Sequence, residues 1–218
     1  MLWTDTYNGP ANGVDEGLGV AVDGSANVYV TGYTGGDIWT RKYNTNGLIQ
    51  WTTTYNRPPD NNAEGWGVAA DNSGNVYVTG RELRNDLSQD RNVWVRKYDT
   101  NGLVQWTTTY DNPAVNGFDE GRGIDVDSSG NVYVIGTSSA VAQDRDIWLR
   151  KYDTNGLVQW TTTYNGPANS SDEGRGITVD GSGNIYVAGY EKRTDLGDPN
   201  PKIIVGRNIN IRTVTPDV

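Results

Sequence analysis

The sequence predicts an all-β protein, a four-bladed β-propeller with four antiparallel strands per blade, and three observations carry that reading. TNGLIQWTTTYN around Trp51 returns as TNGLVQWTTTYD around Trp106 and TNGLVQWTTTYN around Trp160, with LWTDTYN around Trp3. VAVDGSANVYVTG around Tyr29 returns in close variants around Tyr77, Tyr133 and Tyr186. The tryptophans stand 48, 55 and 54 residues apart, and strand-like units of that length mark a propeller or a related array. One such unit cannot bury both faces of its sheet alone, so the units must share a core. The 218 residues are therefore read as one domain, 1–218, with blades at about 18–55, 66–110, 122–164 and 175–210 plus 2–7.

The second unit justifies the elements in order. GVAA (67–70) is a short apolar strand ended by the turn DNSG (71–74), and NVYVTG (75–80) returns from it. Residues 81–91 form a polar loop. NVWVRKY (92–98) alternates, with Trp94, Arg96 and Tyr98 on one face and Val93, Val95 and Lys97 on the other. DTNG (99–102) is a tight hairpin, because Asn-Gly readily supplies positive φ angles, and LVQWTTTY (103–110) is the outer strand. Such a meander is one blade. The fourth unit has its first two strands at about 175–189 and a degenerate third at 203–209, after which nothing matches LVQWTTTY. The missing outer strand stands at the other end, Leu2 to Tyr7, so the N-terminal strand is expected to complete the last blade and close the ring. The alternatives are a fragment of a larger propeller, or a chain that pairs to make eight blades.

Composition narrows the chemistry. With one Phe and one Met, the core must come from Val, Ile, Trp and Tyr, which suit pleated, half-buried surfaces. The absence of Cys and His excludes disulfides, thiolate chemistry, Cys/His zinc sites and histidine acid–base catalysis. A net charge of −9 argues against nucleic acid as a partner, and no apolar run is long enough for membrane insertion. Met1 opens directly onto a repeat segment, so the lack of a leader says little about compartment. The Asn-, Thr- and Gly-rich composition suggests a secreted bacterial protein, extracellular or periplasmic.

The residues GIDVD (123–127), SGNVYVIG (129–136) and WLRKY (148–152) resemble the bacterial SBBP β-propeller repeat, and are similar more loosely to NHL repeats. The resemblance runs over almost the whole chain. It implies the propeller fold and no particular activity.

Candidate sites follow from the expected topology. The two hairpin turns of each blade share one face and are nearly invariant. The opposite face gathers the second-to-third-strand loops, about 33–37, 81–91, 137–145 and 190–202, which differ completely. Variable loops on a rigid scaffold usually carry recognition. Glu16, Glu64, Glu120 and Glu173 each precede a glycine at the entry to an inner strand, three of them after an Asp, and are expected as a ring at the channel mouth. Such a ring could hold a divalent cation such as calcium, the cofactor the sequence admits. The competing reading pairs each Glu with a neighbouring arginine and takes precedence, since Arg122 and Arg175 stand two residues after two of them. Trp66 breaks the pattern at that same position and, with Arg122 and Arg175, is the candidate ligand contact. The Asp-x-Ser-Gly-Asn turns read as structural, because the bidentate acid of a calcium loop is absent. The periodic tryptophans and their arginine partners read as inter-blade packing, and Lys42, Lys97 and Lys151 as face or edge residues paired with acids.

The function expected is a non-catalytic binding or display scaffold, presenting variable loops to a protein or glycan partner as a monomer, with a dimer as the alternative. The other class is a carboxylate- or metal-dependent lyase or hydrolase at the central channel. Near-identical blades offer little asymmetry from which to build distinct acid and base roles.

Overall fold

The computed structural model describes residues 2–10, 12–56, 62–84, 90–112, 117–139, 144–192 and 201–207. Fifteen strands form four antiparallel sheets packed radially as blades. Blade 1 holds β1 (Asp15–Val22), β2 (Val28–Thr34), β3 (Asp37–Tyr43) and β4 (Ile49–Tyr55). Blade 2 holds β5 (Ala63–Ala70), β6 (Val76–Leu83), β7 (Arg91–Tyr98) and β8 (Val104–Tyr110). Blade 3 holds β9 (Glu120–Val126), β10 (Val132–Ser139), β11 (Arg145–Tyr152) and β12 (Val158–Tyr164), and blade 4 holds β13 (Glu173–Val179), β14 (Ile185–Lys192) and β15 (Pro201–Arg207). Each sheet is a meander in chain order, as the hairpin spacing predicts.

Three apolar seams join the blades. Tyr29 and Ile38 of blade 1 pack with Val68, Val76, Val78 and Trp94 of blade 2. Tyr77, Val93 and Val95 of blade 2 meet Ile124, Val132, Val134 and Trp148 of blade 3. Tyr133, Ile135, Ile147 and Leu149 of blade 3 meet Ile185 and Val187 of blade 4. Toward the axis the inner strands approach so closely that only glycine fits. A Cβ on Gly19 would lie 2.7 Å from the Trp66 carbonyl oxygen, and one on Gly67 or Gly123 would lie 3.0 Å from that of Arg122 or Arg175.

Toward the rim, each outer strand clamps the following blade. Trp51 lies 6.0 Å from Tyr98 and Tyr55 stacks at 5.1 Å on Trp94; Trp106 and Tyr110 repeat this on Tyr152 and Trp148. The indole N–H of Trp51 donates to the Thr100 carbonyl (3.0 Å), and that of Trp106 to Thr154 (3.1 Å). Arg96 and Arg150 lie over the same rings, with their Nε donating to Thr107 and Thr161. The periodic tryptophans are thus packing residues. The lysines differ from expectation: Lys42, Lys97 and Lys151 lie over Tyr29, Tyr77 and Tyr133, and the first two donate to the turn carbonyls of Thr100 and Thr154 rather than pairing with acids.

The expected clasp is corrected. Among the described residues, 2–7 form no strand, and the fourth sheet comprises β13, β14 and β15. The segment does occupy the outer-strand position on blade 1. Trp3 lies 5.1 Å from Tyr43, Tyr7 stacks at 5.0 Å on Trp39, and Arg41 sits over Tyr7. Asp5 stands where the other outer strands carry Thr53, Thr108 and Thr162, and it accepts from Arg41 (3.0 Å) and Tyr43 (2.9 Å). The contact to the following blade is made, while pairing within the last blade is not. On that blade β15 carries Ile204 and Gly206 at the register positions of Trp148 and Arg150.

The Asp-x-Ser-Gly-Asn turns are structural. Asp127 accepts from the amides of Ser129 and Asn131, the Asn131 side chain and the Tyr133 hydroxyl at 2.8–3.0 Å. Asp23, Asp71 and Asp180 repeat this arrangement. Asp127→Ala should cost about 2–3 kcal/mol by leaving part-buried donors unpaired. Urea denaturation would read this as a lowered midpoint, and calcium should change neither variant nor parent.

Candidate functional site

The inner strands run further toward the loop face than the sequence suggests, so the four glutamates lie within strands rather than in crossovers. Each strand then carries an irregularity: its pairing shifts between Gly17 and Gly19, between Gly65 and Gly67, opposite Ile135 and Gly136, and between Gly174 and Gly176. Leu18, Trp66, Arg122 and Arg175 are the extra residues. A bulge re-aims such a side chain. Here the re-aimed chain meets the glutamate two positions earlier: Trp66 Nε1 donates to Glu64 (3.0 Å), Arg122 to Glu120 (2.7 Å), and Arg175 pairs with Glu173 (2.8 Å).

Directly across the ladder from the glutamates stand Tyr33, Arg81, Thr137 and Tyr190. Burial and the carboxylates of Glu16 and Glu173 raise the hydroxyl pKa values of Tyr33 and Tyr190. Arg81 donates to Glu64 (2.6 Å) and reaches on to Glu120 of the next blade (3.3 Å). Thr137 is too short to serve as Tyr or Arg does, and Glu120 is instead the meeting point of Arg81, Arg91 (3.1 Å) and Arg122. Its carboxylate is 3% exposed, and a carboxylate so desolvated persists only when it is paired.

Two planar stacks surround this hub. Arg122 and Arg81 lie 4.1 and 5.1 Å from the Trp66 ring centroid. Arg91 and Arg145 lie 4.5 and 4.8 Å from that of Phe118, the chain's single phenylalanine. Arg145 also reaches Glu173 (3.3 Å). Arg81, Arg91 and Arg122 set three positive charges against the two of Glu64 and Glu120, leaving a local surplus of guanidinium on an acidic protein.

The cation ring is thereby corrected. Among the described residues no group of three or more acidic side chains is placed to hold a metal ion. Glu64, Glu120 and Glu173 direct oxygens to arginine, and Glu16 stands opposite Tyr33. The adjacent aspartates do not reinforce a ring either. Asp119 accepts from the amides of Asn112 and Ser139, Asp172 from those of Gly166 and Lys192, and Asp15 from that of Gly9. Each ties its crossover to the neighbouring loop. Of the three predicted ligand contacts, Trp66 and Arg122 are brought together, whereas Arg175 lies one blade further on, beside Glu173 and Tyr190. Arg81, Arg91, Phe118 and Arg145 were not singled out by sequence. Arg81 and Phe118 fall where the repeats disagree, whereas Arg91 and Arg145 hold one position in two blades. Of the unique loop after Glu82, residues 85–89 lie outside the described residues, as do 140–143 and 193–200 of the other variable loops.

Burial pushes the Asp119 carboxyl up to about 6 against the pull of its backbone hydrogen bonds. Burial, then the charges of Asp172 and Asp144, push Asp146 up to about 6. These groups lend stability that is complete below their unfolded values near 3.8 and is lost as pH rises through about 6. The turn aspartates act oppositely. Hydrogen bonds led by that of Asn184 hold Asp180 down at about 2, so its contribution is lost as pH falls from 3.8 toward 2. Melting temperature should therefore decline as pH is raised from about 4 to about 7. Asp146→Asn, whose amide mimics the neutral acid, should flatten that decline in scanning calorimetry.

Among solved structures, a protein of unknown function from Bacteroides caccae aligns over 92% of this chain and 60% of its own, with 13% identity and a TM-score of 0.53. A point mutant of NanB sialidase from Streptococcus pneumoniae aligns over 79% of this chain and 26% of its own, with 14% identity and a TM-score of 0.52. This chain thus spans less than two thirds of either, and at such identities the likeness is one of fold. No curated protein matches the sequence. Residues 116–140 and 159–190 match the family model described as the SBBP β-propeller repeat.

Proposed function

We propose that this protein is a non-catalytic binding scaffold whose loop face engages a carboxylate-bearing protein or glycan. The observation that carries the reading is the guanidinium surplus around Glu120, where three arginines converge on one buried carboxylate and two of them stack on Trp66. Stacked, ion-paired arginines are held in place before a ligand arrives, so little side-chain freedom remains to be lost on binding. Arg91, Arg145 and Arg175 keep part of their surface in solvent and can donate further hydrogen bonds. The segments after the second strands differ in sequence from blade to blade and are suited to setting partner identity. Asp119 and Asp172 are committed to loop amides.

Titration calorimetry with a glutamate-rich peptide and with an oligogalacturonate, against their amidated counterparts, tests the proposal. Binding should require the carboxylates and weaken with salt. Arg91→Ala and Arg175→Ala should each lower affinity roughly ten- to a hundredfold. Equal binding of charged and amidated probes, or none of either, would sink it.

A further inference from the structure

The three seams leave two surfaces of the same kind without a mate. On blade 1 the side that should face a preceding blade exposes Val20 (69%) and Val22 (58%), whereas the counterparts of Val20 in blades 2 and 3, Val68 and Ile124, are buried. On blade 4 the side that should face a following blade exposes Ile203 (87%) and Val205 (75%), at the register positions of the buried Ile147 and Leu149. The two surfaces do not cover each other. A Cβ on Gly176 would meet no described atom within 4 Å, although Gly19, Gly67 and Gly123 each abut the next inner strand. A groove of about 270 Å³ opens on blade 1 between residues 2–7 and β1, lined by Trp3, Tyr7, Val30, Tyr33 and Trp39 among others. At the corresponding place on blade 2, Val78 and Trp94 are sealed beneath blade 1.

Strand count identifies the occupant. The position preceding blade 1 already holds its rim segment, residues 2–7, seated on Trp39 and Tyr43. The sheet that docks there must bring inner strands and lack an outer one. Among the described strands one sheet has that form, β13–β14–β15. We infer that two copies of this chain associate head to tail, blade 4 of each against blade 1 of the other, with residues 2–7 of each lying along the rim edge of the other's β15. Two equivalent contacts close one ring of eight blades. Each contact joins unlike surfaces, the two are related by a two-fold axis, and closure is what separates this dimer from an open filament.

Light scattering on the intact chain should give twice the 23.8 kDa mass of one copy. Val20→Asp and Val205→Asp each place a charge in both contacts, and each alone should run at the single-chain mass, with association weakened at least a hundredfold. Mixed together, one contact carries both changes and the other carries neither, so the dimer should return. Both substitutions lie at exposed positions, and unchanged melting of each variant would show that it folds. A parent that stays monomeric, a ladder of higher masses, a dimer indifferent to either substitution, or a mixture that fails to recover would each overturn the inference.

Discussion

The seam between blades is the constraint on which everything else depends. No blade has a core of its own: each of the three apolar clusters draws its members from two adjacent sheets. Three devices hold a seam together. At the axis glycines let inner strands touch, in the middle Val and Ile interdigitate, and at the rim a Trp and a Tyr cover the Trp–Arg–Tyr ladder ahead. Aromatic pairs add about 0.5–1.5 kcal/mol each beyond their burial, and the arginine stacks contribute on a similar scale. In a chain with few other large apolar residues, these repeated contacts replace a central core.

That commitment determines where function can reside. Trp51 and Trp106 are committed to a neighbouring turn, and Trp94 and Trp148 are buried beneath the preceding blade, so these four are withdrawn from recognition. Trp66 sits on a bulge where the inner strand leaves the seam. The same irregularity places Arg122 and Arg175 beside their glutamates. Once a glutamate is desolvated there, its charge must be met, and arginine meets it with fixed, planar geometry. The acidic ring suggested by four equivalent glutamates becomes a chain of ion pairs for that reason.

The strands, the hairpin turns and the packing role of the tryptophans were legible in sequence because repetition displays them three or four times. Trp94, Arg96 and Tyr98 alternate in a way that only a strand face explains, and the structure places them so. The bulges were not legible. Gly-x-Gly at 65–67 or 121–123 reads equally as a flexible strand start, and the shift that re-aims Trp66 and Arg122 depends on what the partner strand offers across the ladder. The reach of Arg81 to Glu120 was likewise hidden, since it joins residues 39 positions apart in different blades. The clasp failed for a related reason. Matching LWTDTYN to LVQWTTTY identifies the rim contact correctly, but pairing with β15 depends on a strand whose own ladder residues have been replaced.

Near-identical blades also raise a problem of order, because a seam built from interchangeable parts does not specify which blade follows which. At the loop edge one contact distinguishes a seam. Blades 1 and 2 are joined there by the Ala63 amide on the Gly36 carbonyl, blades 2 and 3 by Arg81 and Arg91 on Glu120, and blades 3 and 4 by Arg145 on Glu173. The backbone bond recurs at all three seams, as the Asp119 amide on Arg91 and the Asp172 amide on Arg145, and Arg91 on Glu120 recurs as Arg145 on Glu173; among the described residues the reach of Arg81 to Glu120 is what sets one seam apart. Glu16 faces Tyr33 within its own blade, so blade 1 offers no such arginine pair to a misplaced neighbour. Charges that fail to match across a wrong seam would be stranded in partly buried surroundings, a larger penalty than any mismatch among the interchangeable valines. Arg81 is therefore the side chain at the loop edge that tells the second seam from the others, and the same side chain stacks on Trp66.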